Sequence, residues 1–354
     1  MVLSHKAIAI HFGEGDFQMS RISIVMSFFN ESAFIVEAID SVLAQTYRDW
    51  QLVLVDDGSS DGSGAIARAF AARHRDRMRY VEHPGHANRG TSASRNLGLL
   101  HSDGDMIAFL DADDVYLPER LQRHVTLLES MPEVDMVQSN ALRWFAWADP
   151  GLPDIVGPVP SGVGTIVQAP EMLRQSLQQD PEAGWFPCTC SVTIRRSAIA
   201  KVGGFEEDFF RLCEDWAFWQ KIYLHGNVYV TGDVVARYRK HCGSVLHRAA
   251  NDWTSVLGER YYAHLAYLRW LNVYLERHGA DRKILRLVRR KLWPDGSRFL
   301  HGTLGLPPAL GLTLRTAASR LTSRLRAATH DTIDRTNAGL QPMLGSTRRS
   351  RDRR

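Results

Sequence analysis

The sequence predicts an α/β fold, a mostly parallel sheet flanked by helices, and three observations carry that prediction. Short apolar runs of strand length alternate with segments whose apolar residues recur at helical spacing, the pattern of βαβ units. The polar clusters Asp56-Asp57-Gly58-Ser59 and Asp111-Ala112-Asp113-Asp114 directly follow such runs, where the carboxyl ends of parallel strands open on a ligand crevice. The 354 residues also suffice for one large α/β domain with an appendage.

Residues 1–20 show no sustained periodicity and read as a loose, flexible leader. A strand at 22–26, Ile-Ser-Ile-Val-Met, precedes apolar residues at helical spacing over 33–43. The β-branched run 51–55 stops at Asp56-Asp57-Gly58, and the alanine-rich stretch 64–75 supplies the second helix. A third strand is expected at 78–82, a helix at 91–100 and a buried strand at 106–110. After Pro118 come a helix reaching Met131, a strand at 134–139, a Pro- and Gly-rich loop at 149–161 able to close over a site, a strand at 190–194 and a helix starting near Asp215. From Trp253 the pattern turns helical and basic, broken by a Gly-, Pro- and Leu-rich stretch at 302–312. The expected division is therefore a leader at 1–20, an α/β domain at 21–250 with halves at 21–118 and 119–250, and a helical basic region at 251–354.

Composition narrows the classes. Hydrophobic residues at 44% and charged residues at 23% are the balance of a globular protein, which excludes a disordered or fibrous chain. The net charge of +4 is unevenly placed, because arginines crowd the stretch from Arg282 to Arg348-Arg349-Ser350-Arg351-Asp352-Arg353-Arg354. That segment reads as a solvated tail or as a membrane-surface contact, and nucleic-acid binding is not expected. Four cysteines, Cys188, Cys190, Cys213 and Cys242, are too few for a disulfide framework and fit a reducing, cytoplasmic setting. A zinc site from Cys188, Cys190, His241 and Cys242 lacks a second spaced pair, so buried thiols are the preferred reading. No window reaches the ~20 apolar residues of a membrane-spanning helix, and no secretory signal pattern is present.

Asp111, Asp113 and Asp114 sit immediately outside an apolar strand. Gathered carboxylates raise each other's proton affinity, so a structure that collects them commonly needs a cation. Mg²⁺ or Mn²⁺ suits oxygen ligands and takes one or two carboxylates, leaving other positions to water and phosphates. Asp-x-Asp alone is unspecific, since Asp113 or Asp114 could simply cap the helix that follows. Asp56 and Asp57 end another strand, where they serve either as acceptors for a base or ribose or as ordinary turn residues. In Asn88-Arg89-Gly90-Thr91-Ser92-Ala93-Ser94-Arg95-Asn96-Leu97-Gly98, Gly90 permits close backbone approach and Arg95 can pair with a phosphate or orient an aspartate. Glu214-Asp215, before Trp216-Ala217-Phe218-Trp219, is either a helix cap or a carboxylate base.

In order, these motifs resemble the family-two glycosyltransferases of the GT-A fold. The resemblance runs from residue 21 to about 248 through Ile22-Ser23-Ile24-Val25, Phe29-Asn30-Glu31, Val55-Asp56-Asp57-Gly58-Ser59-Ser60-Asp61, Gly90-x4-Arg95-Asn96-x-Gly98 and Phe109-Leu110-Asp111-Ala112-Asp113-Asp114. It continues with Gly203-Gly204-Phe205, Glu214-Asp215-Trp216 and Tyr238-Arg239-Lys240-His241-x2-Ser244. It implies a GT-A domain and inverting transfer of one sugar from a nucleotide-sugar donor, a uridine one being commonest, to a glycan, lipid-linked or small-molecule acceptor. It places Asn30, Glu31, Asp56 and Asp57 at the nucleotide, Gly90 and Arg95 beside it, and Asp113 on Mn²⁺ or Mg²⁺. Asp111 falls on the ribose or the metal, Asp215 is the general base, and His241 and Ser244 lie over the diphosphate. Ser27-Phe28-Phe29 replaces the proline frequent in the first loop, and no Gln-x-x-Arg-Trp segment follows, which disfavours a processive polymerase. The alternatives are a non-catalytic nucleotide-sugar-binding protein, which should lack the Asp-x-Asp or the base, and a sugar-phosphate nucleotidyltransferase. The latter needs a glycine-rich loop where this chain has Ser27-Phe28-Phe29-Asn30-Glu31. The donor sugar, the acceptor and the oligomeric state stay open at this level.

Overall fold

Four apolar runs become the parallel half of one sheet. β1 (Ile22–Phe28), β2 (Trp50–Asp56), β3 (Met78–Glu82) and β4 (Met106–Phe109) align in the order β3-β2-β1-β4, with Ile22 opposite Trp50 and Met106. The computed structural model describes residues 20–157, 162–179, 186–209, 212–241 and 256–292, with side chains from 263 in the last stretch. Residues 1–288 form one unit, to which the description below refers. The helices α1 (Ile35–Leu43), α2 (Ser63–Arg73) and α3 (Thr91–Leu100) connect the parallel strands, as the periodicity required.

The tight packing of α3 has a visible cause. A Cβ on Gly98 would stand 2.3 Å from Val25 Cγ1, so only glycine lets the helix lie this close to β1 and β2. The one hydroxyl deep in β1 is satisfied, since Ser23 Oγ donates to Gln51 Oε1 at 2.9 Å and accepts from the Gly104 amide at 2.8 Å. The core beneath the site is built from Ile24, Met26, Leu52, Leu54 and Ala108 with Ile35 and Ile39 of α1.

Beyond β4 the sheet becomes mixed. β9 (Val192–Arg195) inserts antiparallel between β4 and β6 (Met136–Trp144), and β10 (Val228–Arg239) runs parallel to β6. Short strands β5 (Val115–Tyr116) and β8 (Thr165–Val167) pair antiparallel with β10, and β7 (Ile155–Val156) pairs with β6. The predicted loop at 149–161 thus contains β7, and residues 158–161 of it lie outside the described residues. The other helices of this unit are α4 (Arg120–Ser130), α5 (Glu171–Gln178), α6 (Arg196–Val202), α7 (Glu214–His225) and α8 (Val256–Arg277), and α9 (Arg282–Leu292) begins in it. α8 packs on α7: Gln220 Nε2 donates to the Tyr267 hydroxyl at 3.0 Å, and Leu268, Leu271 and Leu275 are buried.

The sequence pattern does not reveal β5, β8, α5 and α6, nor β10. Gly232 and Asp233 interrupt its apolar alternation, and the structure shows irregular register there, between Val230 and Ala236. The strand nonetheless matters most to the site, because its end places Arg239, Lys240 and His241 beside the acidic turn that follows β4.

Candidate active site

The acidic turn is held open by three different partners. Leu110 is still tied to the sheet through its amide to Val25 O, after which the Asp114 amide bonds Asp111 O and closes the turn. Asp111 Oδ1 accepts from Arg95 Nη2 at 2.8 Å, Asp113 Oδ2 lies 2.9 Å from His241 Nε2, and Asp114 Oδ1 accepts from the Arg239 amide at 2.9 Å. Each of the three carboxylates therefore has a donor of its own, which offsets part of the repulsion among adjacent aspartates. Asp114 is 1% exposed, its Oδ2 has no protein partner, and burial followed by the charges of Asp113 and Asp111 pushes its carboxyl well up.

Arg239 fixes this corner from the other side. Its Nε donates to Asp113 O at 2.7 Å and its Nη2 to Glu37 Oε2 of α1, while the guanidinium sits against the rings of Trp144 at 4.4 Å and of Phe34 and Trp147 at 4.9 Å. His241 meets the Phe34 ring edge-on at 4.8 Å, and Trp147 Nε1 donates to Lys240 O. The imidazole is thereby aimed at Asp113.

Arg95 joins the acidic turn to α7. The side chain is 3% exposed, and besides Asp111 it reaches Glu214 Oε1 at 3.4 Å and lies over the Phe205 ring at 5.3 Å. The Gly203-Gly204-Phe205 segment is strapped to α3: Asn96 Nδ2 donates to Phe205 O, the Phe205 amide donates to Asn96 Oδ1, and Ser92 Oγ donates to Phe209 O. The strap delivers Glu214 and Asp215 at the start of α7. Burial, reinforced by Asp215 and opposed by Arg95, pushes the Glu214 carboxyl up to about 8. Burial raises Asp215 as well, against the Arg95 charge, and its Oδ1 accepts the neighbouring Trp216 amide at 2.8 Å.

A second cluster forms the rim at the ends of β1 and β2. Asn30, at φ 58, donates its amide to Ser59 Oγ and accepts the Ser60 amide on Oδ1, pinning the first loop to the Asp56–Asp61 loop. Asp57 is 5% exposed and accepts the amides of Arg89 at 2.7 Å and Gly90 at 3.0 Å, so it shapes the entry into α3. Gly90 has φ 86 and ψ 163, backbone that side chains beyond glycine rarely adopt. Asp56 is fully buried, its Oδ1 taken by the Ser59 amide and its Oδ2 lying 2.9 Å from the Tyr80 hydroxyl. Glu31 closes the turn into α1 through its carbonyl, which accepts the amides of Phe34 and Ile35.

Among the sequence-predicted residues, the structure links Asp111 to Arg95 and Asp113 to His241, sets Asp215 next to Glu214, the second partner of Arg95, and ties Asn30, Asp56, Asp57 and Gly90 into a separate cluster at the ends of β1 and β2; Ser244 lies outside the described residues. Glu214 as the second partner of Arg95, and Arg239, Glu37, Trp144 and Trp147 behind His241, were not singled out in advance. Their signal was available for Arg239, which stands two residues before His241 in the same motif. Of the cysteines, Cys190 is buried and Cys188 half-buried, both as free thiols, while Cys242 lies outside the described residues.

A divalent cation fits this corner by donor chemistry. Asp113 Oδ2 and His241 Nε2 converge, both side chains mostly buried. The rest of the coordination would fall to substrate oxygens and water, as hard cations prefer. Among the described residues, the group of three carboxylate or imidazole side chains close enough to share an ion is instead Asp56, Glu82 and His86. Those are already paired among themselves through Tyr80 and Ser59 O.

The chain matches the description "Glycosyl transferase family 2" over residues 23–202. It belongs to glycosyl transferase family 2. Its relatives include EpsE of Bacillus subtilis, named as a glycosyltransferase, at 36% identity over 34% of this chain and 43% of that protein. An uncharacterized glycosyltransferase of Nostoc sp. is 28% identical over 66% of this chain and 69% of its own. The chain thus spans less than half of EpsE and about two thirds of the Nostoc protein. Among solved structures, the TarS 1-349 fragment of S. aureus in complex with UDP superposes with a TM-score of 0.53 at 16% identity, covering 79% of this chain and 72% of that one. That likeness establishes the GT-A-like fold for this family 2 member. No helix of the described residues is long and apolar enough to cross a membrane.

Proposed function

We propose that this family 2 protein is an inverting glycosyltransferase that moves one sugar from a nucleotide-diphosphate sugar to an acceptor hydroxyl. The observation that carries the reading is that one acidic turn, at the end of β4, holds both the Asp113–His241 pair and Asp111, which Arg95 links to Glu214 beside Asp215 on α7. Asp215 acts as general base: it takes the proton of the acceptor hydroxyl while that oxygen bonds the anomeric carbon and the bond to the diphosphate breaks. Glu214 is the poorer base at neutral pH, because a carboxyl that holds its proton up to about 8 cannot accept another. Its place is beside Arg95, where it helps to orient the start of α7.

Asp113 and His241 would hold a divalent cation, Mn²⁺ or Mg²⁺, which when bound would neutralise charge on the departing diphosphate. Asp111, held by Arg95, serves the ribose or reaches the metal through water. Asn30, Glu31, Asp56, Asp57 and Gly90 form the nucleotide end of the crevice, and Ser244 the far side of the diphosphate. TarS structures were solved with UDP and with UDP-GlcNAc, which makes uridine donors the first to test. The acceptor is a glycan, a lipid-linked glycan or a small molecule met at the cytoplasmic side of the membrane, in keeping with the free thiols.

The test is donor turnover with Mn²⁺, comparing the native chain with Asp215→Asn. The variant should retain donor binding and lose turnover by about 10²-fold or more. Equal rates would remove Asp215 from the mechanism.

A further inference from the structure

The chain is electrically divided. From residue 282 onward it carries 17 basic and 4 acidic side chains, against 26 and 35 before it. The division begins on α9, whose 11 residues, Arg-Lys-Ile-Leu-Arg-Leu-Val-Arg-Arg-Lys-Leu, include six cations and no acid. The start of α9 is fixed by Asp281, which accepts the Lys283 and Ile284 amides on Oδ1. Ile284 and Val288, four residues apart, are buried, and Leu285 and Leu287 are half-buried, so the apolar side of the helix is largely engaged in packing. Arg282, Lys283, Arg286, Arg289 and Arg290 are all exposed. A surface helix with this composition is held down by its apolar face and presents a dense, one-signed array outward.

We propose that α9 docks the protein on an anionic phospholipid bilayer. This goes beyond the sugar-transfer reading and stands independently of it. The sequence chooses a membrane over a nucleic acid. The stretch directly after α9 is apolar and aromatic: residues 293–314 include Trp293, Phe299, Leu300, Leu304, Leu306, Leu310, Leu312 and Leu314 with one acid, Asp295, and one cation, Arg298. Interfacial segments combine tryptophan, phenylalanine and leucine with flanking cations, while phosphate-backbone binding has no use for the leucines. Each cation close to an anionic leaflet multiplies binding by about fivefold, and the effect fades within about 10 Å at moderate salt.

The full-length protein is sedimented with vesicles of phosphatidylcholine alone and of phosphatidylcholine containing phosphatidylglycerol. The expected result is retention on the anionic vesicles, none on the neutral ones, and loss of retention as salt is raised. The variant Arg282→Gln, Lys283→Gln, Arg286→Gln, Arg289→Gln, Arg290→Gln should bind anionic vesicles at least about tenfold more weakly. Its melting temperature should match the native chain's, because the substituted side chains are exposed. Three results overturn the proposal: equal binding of the variant and the native chain, no preference for anionic vesicles, or tighter binding to a duplex RNA oligonucleotide than to the anionic vesicles at the same salt. None of these bears on donor turnover, which is measured without vesicles.

Discussion

Replacing Arg95 with methionine removes the one cation shared by Asp111 and Glu214 while keeping most of the buried volume. Breaking a buried ion pair commonly costs about 3–5 kcal/mol. Two features of this site reduce that figure at neutral pH. Asp111 keeps 30% side-chain exposure and can recover water, and Glu214 at 13% exposure already holds its proton up to about 8. The expected cost at pH 7 is therefore about 2 kcal/mol, a fall in Tm of roughly 4–8 °C for a domain of this size. The cost should grow with alkalinity. Above about pH 8 Glu214 is ionised in the native protein, whereas without Arg95 it keeps its proton to higher pH, so the variant alone continues to lose stability as pH rises. Urea unfolding of both chains at pH 7 and pH 9 measures this directly. A loss below about 0.5 kcal/mol, or one identical at the two pH values, would refute the view that Arg95 balances the charges of the crevice.

Two other outcomes follow from the same geometry. Gly98→Ala puts a methyl 2.3 Å from Val25 Cγ1 and should destabilise by about 2 kcal/mol in denaturant titration, although alanine is the better helix former. Glu214→Gln tests the raised carboxyl: the native fold holds a proton that the unfolded chain releases near 4.5, so native stability should fall as pH rises from about 4.5 to about 8, and the variant's Tm should lose that slope.

The first half of the fold was legible because each of its elements obeys a local rule. β1, β2 and β4 are short, mainly apolar runs, α3 starts directly after Gly90 and tolerates its close packing through Gly98, and the acidic turns sit where parallel strands end. The second half was less legible because its strands depend on partners far away in sequence. β9 is four residues long and runs antiparallel between β4 and β6, and β10 crosses irregular register at Gly232 and Asp233. For the same reason the sequence motif named Asp113 and His241 separately, while their pairing at 2.9 Å depends on β10 meeting β5. Glu214 was visible only as a neighbour of Asp215. Its partner Arg95 is 119 residues away, and nothing in the local pattern of α7 indicates which of the two carboxylates turns towards it.

The central claim is that Asp113 and His241 hold a divalent cation against a nucleotide-sugar diphosphate. Thermal unfolding across a panel of uridine, guanosine and thymidine diphosphate sugars, with and without Mn²⁺, tests it most directly. One donor at about a hundred times its Kd should stabilise the native chain by about 2.7 kcal/mol, raising Tm by about 5 °C or more only when Mn²⁺ is present. Asp113→Ala should keep its own fold and lose that metal-dependent rise. A native chain whose Tm responds to no nucleotide sugar, or responds equally with and without Mn²⁺ and with and without Asp113, would contradict the account.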